Sequence, residues 1–300
     1  NYKLLDKSAA WILVKKNFDK FHFLKHYRPM GNPTKFIHAL LNHFSECKNE
    51  GIYPDDYLEY IDSLKKDLND IEDNERLKEI ADAYHLYQKL LLDNSALDFG
   101  DLINYTIKLF NKRKDVLEKF RNQFKYILID EFQDTNNAQL SLVKAISSND
   151  VHEGRANVCV VGDDDQAIYK FQGAEISNIH SFKELYRDVE VIVLTENYRS
   201  TQKVLDFARE VVIQGVNRLE TRYEEIRKDL IAKNTTLEKG NIFTVSKASQ
   251  EEEYAYVGDE IKKLLDKGVE ASEIAVIARE HKQLTTLLPY LDNNHIPYTY

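Results

Sequence analysis

Two adjacent carboxylates, Asp130 and Glu131, follow a short apolar run, Tyr126 to Ile129, and open the string DEFQDTN, Asp130 to Asn136. At a strand terminus such a pair can divide two tasks. One carboxylate holds a hydrated Mg²⁺ that bridges nucleotide phosphates, and the other orients or deprotonates an attacking water. The pair also suits an acidic helix start, where carboxylates complement the helix dipole, so the dipeptide alone leaves both readings open. A second apolar run, Val158 to Val161, leads into GDDDQAIYKFQGA, Gly162 to Ala174. Its three carboxylates repel one another unless cations or donors lie nearby. Gln166 both donates and accepts, which suits sensing a phosphate or placing a water. Tyr169 and Phe171, on either side of Lys170, can offer rings to bases beside a cation for phosphate, or can be core packing. A third run, Val191 to Leu194, precedes Thr195-Glu196-Asn197-Tyr198-Arg199-Ser200-Thr201. An arginine at a helix start opposes the helix dipole. Arg199 is thus either a receptor for an anionic ligand or a surface partner of Glu196 or Asp206, and Tyr198 beside it can stack on a base.

Residues at the ends of successive apolar runs need a scaffold that brings those ends together. From about residue 96 onward the runs Tyr126–Ile129, Val158–Val161, Val189–Leu194, Ile242–Val245 and Ile274–Ile277 alternate with helical patterns at Ala138–Ile146, Thr201–Val212 and Glu251–Leu265. That alternation predicts an α/β fold with a parallel sheet covered on both faces, whose ligand crevice lies at the carboxyl ends of the strands. Residues 1–95 read instead as helices, with apolar positions at three- and four-residue steps (Ala10, Leu13, Val14; Phe36, Leu40, Leu41, Phe44) and a long charged periodic stretch from Ser63 to Leu92. Gly31-Asn32-Pro33 and Gly51-Ile52-Tyr53-Pro54 punctuate them.

The 300 residues leave room for two or three domains, and 43% apolar with 30% charged residues suits a folded chain. No apolar run reaches the roughly 18–20 residues that cross a bilayer. Cys47 and Cys159 have no metal-type spacing, so they are expected to be reduced thiols in a cytoplasmic protein, and a zinc site or disulfide scaffold is not expected. Forty-one basic against fifty acidic residues give a net charge of −9, which does not steer the whole chain to nucleic acid but leaves room for a local basic groove. Lys3 to Lys48 alone holds nine Lys or Arg against three Asp or Glu. The absence of an initiator methionine at Asn1, and an end at Tyr300 just after a strand-like start, lead to the expectation of an internal piece of a longer protein.

Together, the strings DEFQDTN, GDDDQAIYKFQGA and LTENYRS (Leu194 to Ser200) resemble the UvrD/Rep/PcrA family of superfamily 1 DNA helicases, in order and spacing across some two hundred residues. Leu97-Asp98-Phe99-Gly100-Asp101-Leu102 is similar to that family's lead-in to the acidic string, and Glu251 to Tyr300 to its second motor domain. The resemblance implies two RecA-like parallel-sheet motor lobes of the P-loop NTPase type, both partial, with an inserted all-helical accessory domain. The implied division is residues 1–95 helical accessory, 96–195 second half of the first lobe, and 196–300 first half of the second. It further implies ATP hydrolysis with Mg²⁺ in a cleft between lobes and movement along single-stranded DNA, 3′ to 5′, in repair or replication, in the bacterial cytoplasm or nucleoid. By resemblance, Asp130 is the Mg²⁺ ligand and Glu131 the catalytic carboxylate. Gln166 senses the γ-phosphate, Tyr198 stacks on adenine, and Arg199 is the arginine finger. Tyr169, Lys170 and Phe171 touch DNA.

Ala167 stands where the family has Ser, Gln172 where it has Arg, and Phe171 where tryptophan is commoner; the second change removes a charge near the DNA track. No Gly-Lys pair occurs in the 300 residues, so the phosphate-cradling G-x-x-x-x-G-K-[ST] loop is missing from them. In the family that loop precedes the helical accessory domain. These residues alone are therefore expected to be inactive. The rival readings are the motor part of a RecB/AddA-like helicase–nuclease and a DNA- or partner-binding module that has lost its ATPase.

Overall fold

The computed structural model describes residues 2–64, 71–147, 156–168, 176–186, 189–216, 218–224, 226–234 and 240–300. The chain divides into two compact units, Asn1–Thr195 with Val211–Asp229, and Glu196–Glu210 with Leu230–Tyr300.

The first unit begins as helices. α1 (Lys7–Lys16) starts at Asp6, whose carboxylate caps the Ala9 amide at 2.7 Å. α2 (Ile37–Asn49) turns Ile37, Leu40, Phe44 and Cys47 to one side, the three- and four-residue rhythm of a helix packed on a core. α3 (Pro54–Leu64) opens on a proline, which gives up no helical hydrogen bond there. α4 (Ile71–Asp93) supplies Ala81, Tyr84, Tyr87, Leu90 and Leu91. Phe44 stacks against both Tyr84 and Tyr87, with centroids 5.0 and 5.5 Å away. A short parallel pair, β1 (Lys3–Leu4) with β2 (Ala96–Leu97), closes this helical core and leads into α5 (Phe99–Lys112) and α6 (Lys114–Gln123).

At the start of α5 the sequence LDFGDL acquires a structural meaning. Asp98 and Asp101 form a reciprocal capping box. Between them lies the ammonium of Lys48, only 2% exposed, at 2.5 Å from Asp98 and 2.8 Å from Asp101, while the Tyr87 hydroxyl donates to Asp98. Gly100 is required by this arrangement, since a β-carbon there would lie 2.7 Å from the Lys48 stem.

The functional strands come next. β3 (Ile127–Ile129) pairs in parallel with β4 (Val158–Val160), with Leu128 opposite Cys159, and α7 (Asn137–Ser147) lies in the connection. One side of this pair is packed by Phe132, Leu140 and Phe182, the last from α8 (Ile176–Leu185). The other is open: Leu128 is 78% exposed. The expectation of a sheet covered on both faces is therefore met on one face only among the described residues.

In the second unit β5 (Glu196–Asn197) pairs in parallel with β6 (Ile231–Ala232), and α9 (Gln202–Val212), whose last two residues count with the first unit, follows β5. A one-turn helix, α10 (Leu219–Arg222), belongs to the part of the chain that returns to the first unit. α11 (Gln250–Asp266) packs on α12 (His281–Asn293) through Tyr254, Ile261, Leu287 and Leu291, and Ile296 just past α12 joins the same cluster. The expected strands Val189–Leu194, Ile242–Val245 and Ile274–Ile277 carry no ladder among the described residues. Their apolar side chains make them competent for a sheet, but a strand exists only where a neighbour supplies hydrogen bonds. Among the described residues no helix is long and apolar enough to cross a membrane.

Candidate active site

The tips of β3 and β4 project two loops side by side. In the first, Asp130 is exposed and one of its oxygens accepts from the Glu131 amide at 3.0 Å. Glu131 sits at φ 49°, ψ 45°, in the left-handed region. A non-glycine residue is held there at a cost of roughly 1–3 kcal/mol, and only where its surroundings over-determine it. Those surroundings are visible. Phe132 is buried edge-on against Phe182, with centroids 5.5 Å apart, and its amide donates to Val161. Gln133, 1% exposed, donates to the Glu131 carboxylate at 2.6 Å and accepts from the Asp163 amide at 3.0 Å. One buried amide thus ties the Glu131 side chain to the backbone of the neighbouring loop. Gly162 makes room for it, because a β-carbon there would lie 2.8 Å from the Gln133 oxygen and 3.2 Å from the Phe132 nitrogen. Further along, Asn136 and Asn137 donate to Asn49 and Glu50 at the end of α2, which anchors the acidic string to the helical core.

The second loop carries Asp163, Asp164 and Asp165, with carboxylate oxygens within 4.8 Å of one another. The cations that such a cluster demands are present. Lys228 Nζ lies 2.5 Å from Asp163, 2.5 Å from Asp164 and 2.9 Å from Asp165. Arg218 makes a two-pronged contact with Asp165 at 2.6 and 2.8 Å, and the Leu219 amide donates to Asp164. The triplet is thereby an internal ionic node: the centre a metal would need is filled by an ammonium. Gln166, exposed, donates to Asp163 at 2.8 Å. Burial pushes the Asp165 carboxyl up, but hydrogen bonds and charge from Arg218 and Lys228 outweigh it and hold the group below the ordinary carboxylate range. A depressed carboxylate contributes stability that is complete above its unfolded value, about 3.9, and disappears as pH falls through the folded one. Asp165→Asn should therefore lower the melting temperature of this chain at neutral pH, with the gap to wild type closing below about pH 4. A gap that stays constant from pH 7 to pH 3 would show that Asp165 carries no net ionic stabilisation.

In the second unit, the Asn197 side chain accepts from the amides of Arg199 and Ser200 at 3.0 and 2.8 Å, and Asn234 donates to the Tyr198 carbonyl. This side-chain turn shapes the Tyr198–Arg199 segment. Tyr198 is 63% exposed and its hydroxyl donates to Glu196, which also pairs with Lys233 at 3.4 Å. Asp206 accepts from Gln202. Arg199 is exposed and has no ion-pair partner among the described residues, so neither Glu196 nor Asp206 occupies it.

Asp130, Glu131 and Gln166 are thus brought together on one pair of strands, and Tyr198 and Arg199 on one turn of the second unit. Tyr169, Lys170, Phe171 and Gln172 lie outside the described residues. Three participants went unassigned in the sequence: Gln133, Arg218 and Lys228. Gln133 stood inside the acidic string with no role of its own. The clustered aspartates signalled that cations must be near, but nothing local said which.

The carboxylate pair and the glutamine loop thus stand at the carboxyl ends of parallel strands, where α/β proteins bind their ligands. The chain matches the family model for the UvrD/REP helicase N-terminal domain over residues 1–187, and that for the UvrD-like helicase C-terminal domain over residues 192–300. It belongs to the UvrD/REP helicase family. Among curated relatives, the ATP-dependent DNA helicase PcrA of Staphylococcus epidermidis is 36% identical over 304 residues, covering 100% of this chain and 37% of the relative. PcrA of Staphylococcus aureus matches with the same identity and coverage. The chain therefore spans little more than a third of the length of these relatives.

Proposed function

We propose that this chain is part of an ATP-driven DNA helicase or translocase that moves 3′ to 5′ along single-stranded DNA in repair or replication, in the bacterial cytoplasm. The observation that carries this reading is the joining of the Glu131 carboxylate to the Gln166 loop through buried Gln133, in a member of the UvrD/REP family. Within it, residues 1–95 act as a helical accessory domain, 96–195 as the later half of a first RecA-like lobe, and 196–300 as the earlier half of a second. The separate hydrophobic core of the first ninety-six residues supports the first of these divisions.

The chemistry follows from the side chains. Glu131 takes a proton from the water that attacks the γ-phosphate. Asp130 fits a Mg²⁺ site: one oxygen is occupied by the Glu131 amide, and the other takes no hydrogen bond among the described residues, leaving the single hard donor that such an ion accepts beside phosphates and waters. When bound, Mg²⁺ would neutralise charge on the β- and γ-phosphates. Gln166 offers its amide to the γ-phosphate. Arg199, free of acidic partners among the described residues, supplies positive charge to the phosphoryl group in transfer. Tyr198 gives its exposed ring to adenine, while Tyr169 and Phe171 stack on bases beside Lys170.

The test is ATP turnover by the complete protein with and without oligo-dT, together with oligo-dT binding across salt. Turnover should rise with DNA, and affinity should fall steeply as salt displaces phosphate contacts. Binding that stays flat from low to high salt would refute the DNA part. These 300 residues by themselves, which contain no Gly-Lys pair, should release little or no phosphate in a malachite-green assay. Robust DNA-stimulated release by them would contradict the assignment of phosphate binding to a separate loop.

A further inference from the structure

Residues 211–229 lie in sequence between two segments of the second unit, yet they belong to the first. Their charged side chains close a ring around the Gln166 loop. Arg218 grips Asp165 with two parallel hydrogen bonds and also reaches Glu220. Glu220 in turn accepts from the Lys228 amide at 2.6 Å, so one carboxylate joins the two basic residues. Lys228 Nζ touches all three aspartates. Arg218 is 7% exposed, far below the usual exposure of a solvated arginine.

We propose that Lys228 and Arg218 are positioning residues for Gln166, acting through Asp163 and Asp165. This inference rests on the reading of Gln166 as the γ-phosphate sensor. Asp163 is the connecting group. Its backbone amide is held by Gln133, one carboxylate oxygen by Lys228, and the other accepts from the Gln166 amide at 2.8 Å. Remove Lys228 and Asp163 loses its cation while standing beside Asp164, left with only the Leu219 amide, and Asp165, still held by Arg218. Like-charge repulsion then drives it away from them, and the Gln166 side chain loses the contact that orients it. Arg218 adds what a lysine cannot: its planar fork fixes the direction of Asp165 as well as its charge. The ring also explains why a triple-aspartate turn can stand next to a phosphate site without repelling the phosphate, since two cations sit against it.

The test uses the complete protein and compares Lys228→Ala, Lys228→Arg, Arg218→Ala and Gln166→Ala, alone and with Lys228→Ala added to Gln166→Ala. Readouts are DNA-stimulated kcat, affinity for a fluorescent ATP analogue, and amide hydrogen exchange over residues 162–168. Lys228→Ala should lower DNA-stimulated kcat roughly 10- to 100-fold, the penalty typical of a misplaced catalytic group, with nucleotide affinity unchanged and exchange over 162–168 accelerated. Lys228→Arg should recover part of the loss. In the Gln166→Ala background, adding Lys228→Ala should change kcat by less than about twofold, because both changes act on one group. Effects that multiply, or exchange over 162–168 that does not move, overturn the proposal. If Lys228→Ala does not fold, Lys228→Gln is read by the same criteria. A wild-type protein without ATP turnover would refute the functional reading itself. A wild type that turns over, with a Lys228→Ala variant that matches it, would refute only the positioning role.

Discussion

Replacing Glu131 by Gln in the complete protein is expected to leave ATP binding intact and to lower DNA-stimulated turnover by about 10²- to 10⁴-fold, the contribution typical of a positioned general base. The structure makes this substitution a clean one. Glutamine has nearly the same shape, and its amide oxygen can still accept from Gln133, which now donates to the carboxylate at 2.6 Å. The left-handed backbone at Glu131 is set by neighbours that the substitution does not touch, chiefly buried Phe132 and the amide contact to Asp130. Geometry is preserved while basicity is removed. The measurement is steady-state phosphate release beside titration of a fluorescent ATP analogue. Turnover within threefold of wild type would assign the base elsewhere, and lost nucleotide binding would point to damage beyond proton transfer.

The second large effect concerns stability. Lys48→Ala should destabilise the chain by about 3–5 kcal/mol, the usual consequence of leaving buried charge without its partner. Asp98 and Asp101 would face each other across the site of the lost ammonium, left with neutral donors: the Tyr87 hydroxyl on Asp98, the Gln88 amide on Asp101, and their own capping amides. Burial already raises the Asp101 carboxyl above its ordinary value despite Lys48. Urea unfolding followed by circular dichroism measures the change, and a loss below about 1 kcal/mol would mean that the pair is no stronger than a surface ion pair. Neutralising the acids as well, by Asp98→Asn and Asp101→Asn, should return much of the loss, since a matched neutral site no longer holds unpaired charge. Lys48 immediately precedes Asn49 and Glu50, the anchors of Asn136 and Asn137, so its loss should also loosen the acidic string.

How much of this was readable in the sequence depends on how local each feature is. β3 and β4, and the loops that bear Asp130 and Gln166, were legible because an apolar run and its polar sequel are contiguous. α7, α9 and α11 fall within about two residues of the periodic patterns that announced them. The missing ladders at Val189–Leu194, Ile242–Val245 and Ile274–Ile277 show the limit, since pairing is decided by what lies alongside and not by the run itself. The ionic ring is the clearest case. Asp165 and Arg218 are 53 residues apart, Asp163 and Lys228 65 apart, and no periodicity connects them. Gln133 illustrates a middle situation: its position in the string was evident, but its role depends on the placement of the Asp163 amide thirty residues later. For Arg199 the sequence left two readings, and among the described residues it makes no ion pair with Glu196, which pairs with Lys233, or with Asp206, which accepts from Gln202.

The chain passes from one unit to the other at three points, after Thr195, Glu210 and Asp229. A protease that nicks any one of these junctions leaves the halves covalently tethered through the other two. Grafting the second unit onto a relative would likewise fail at a single splice, because the loop that cages the aspartates lies in sequence between that unit's two segments. Exchange of whole units between relatives is obstructed at the same place, and the acidic turn and its basic cage are expected to change together.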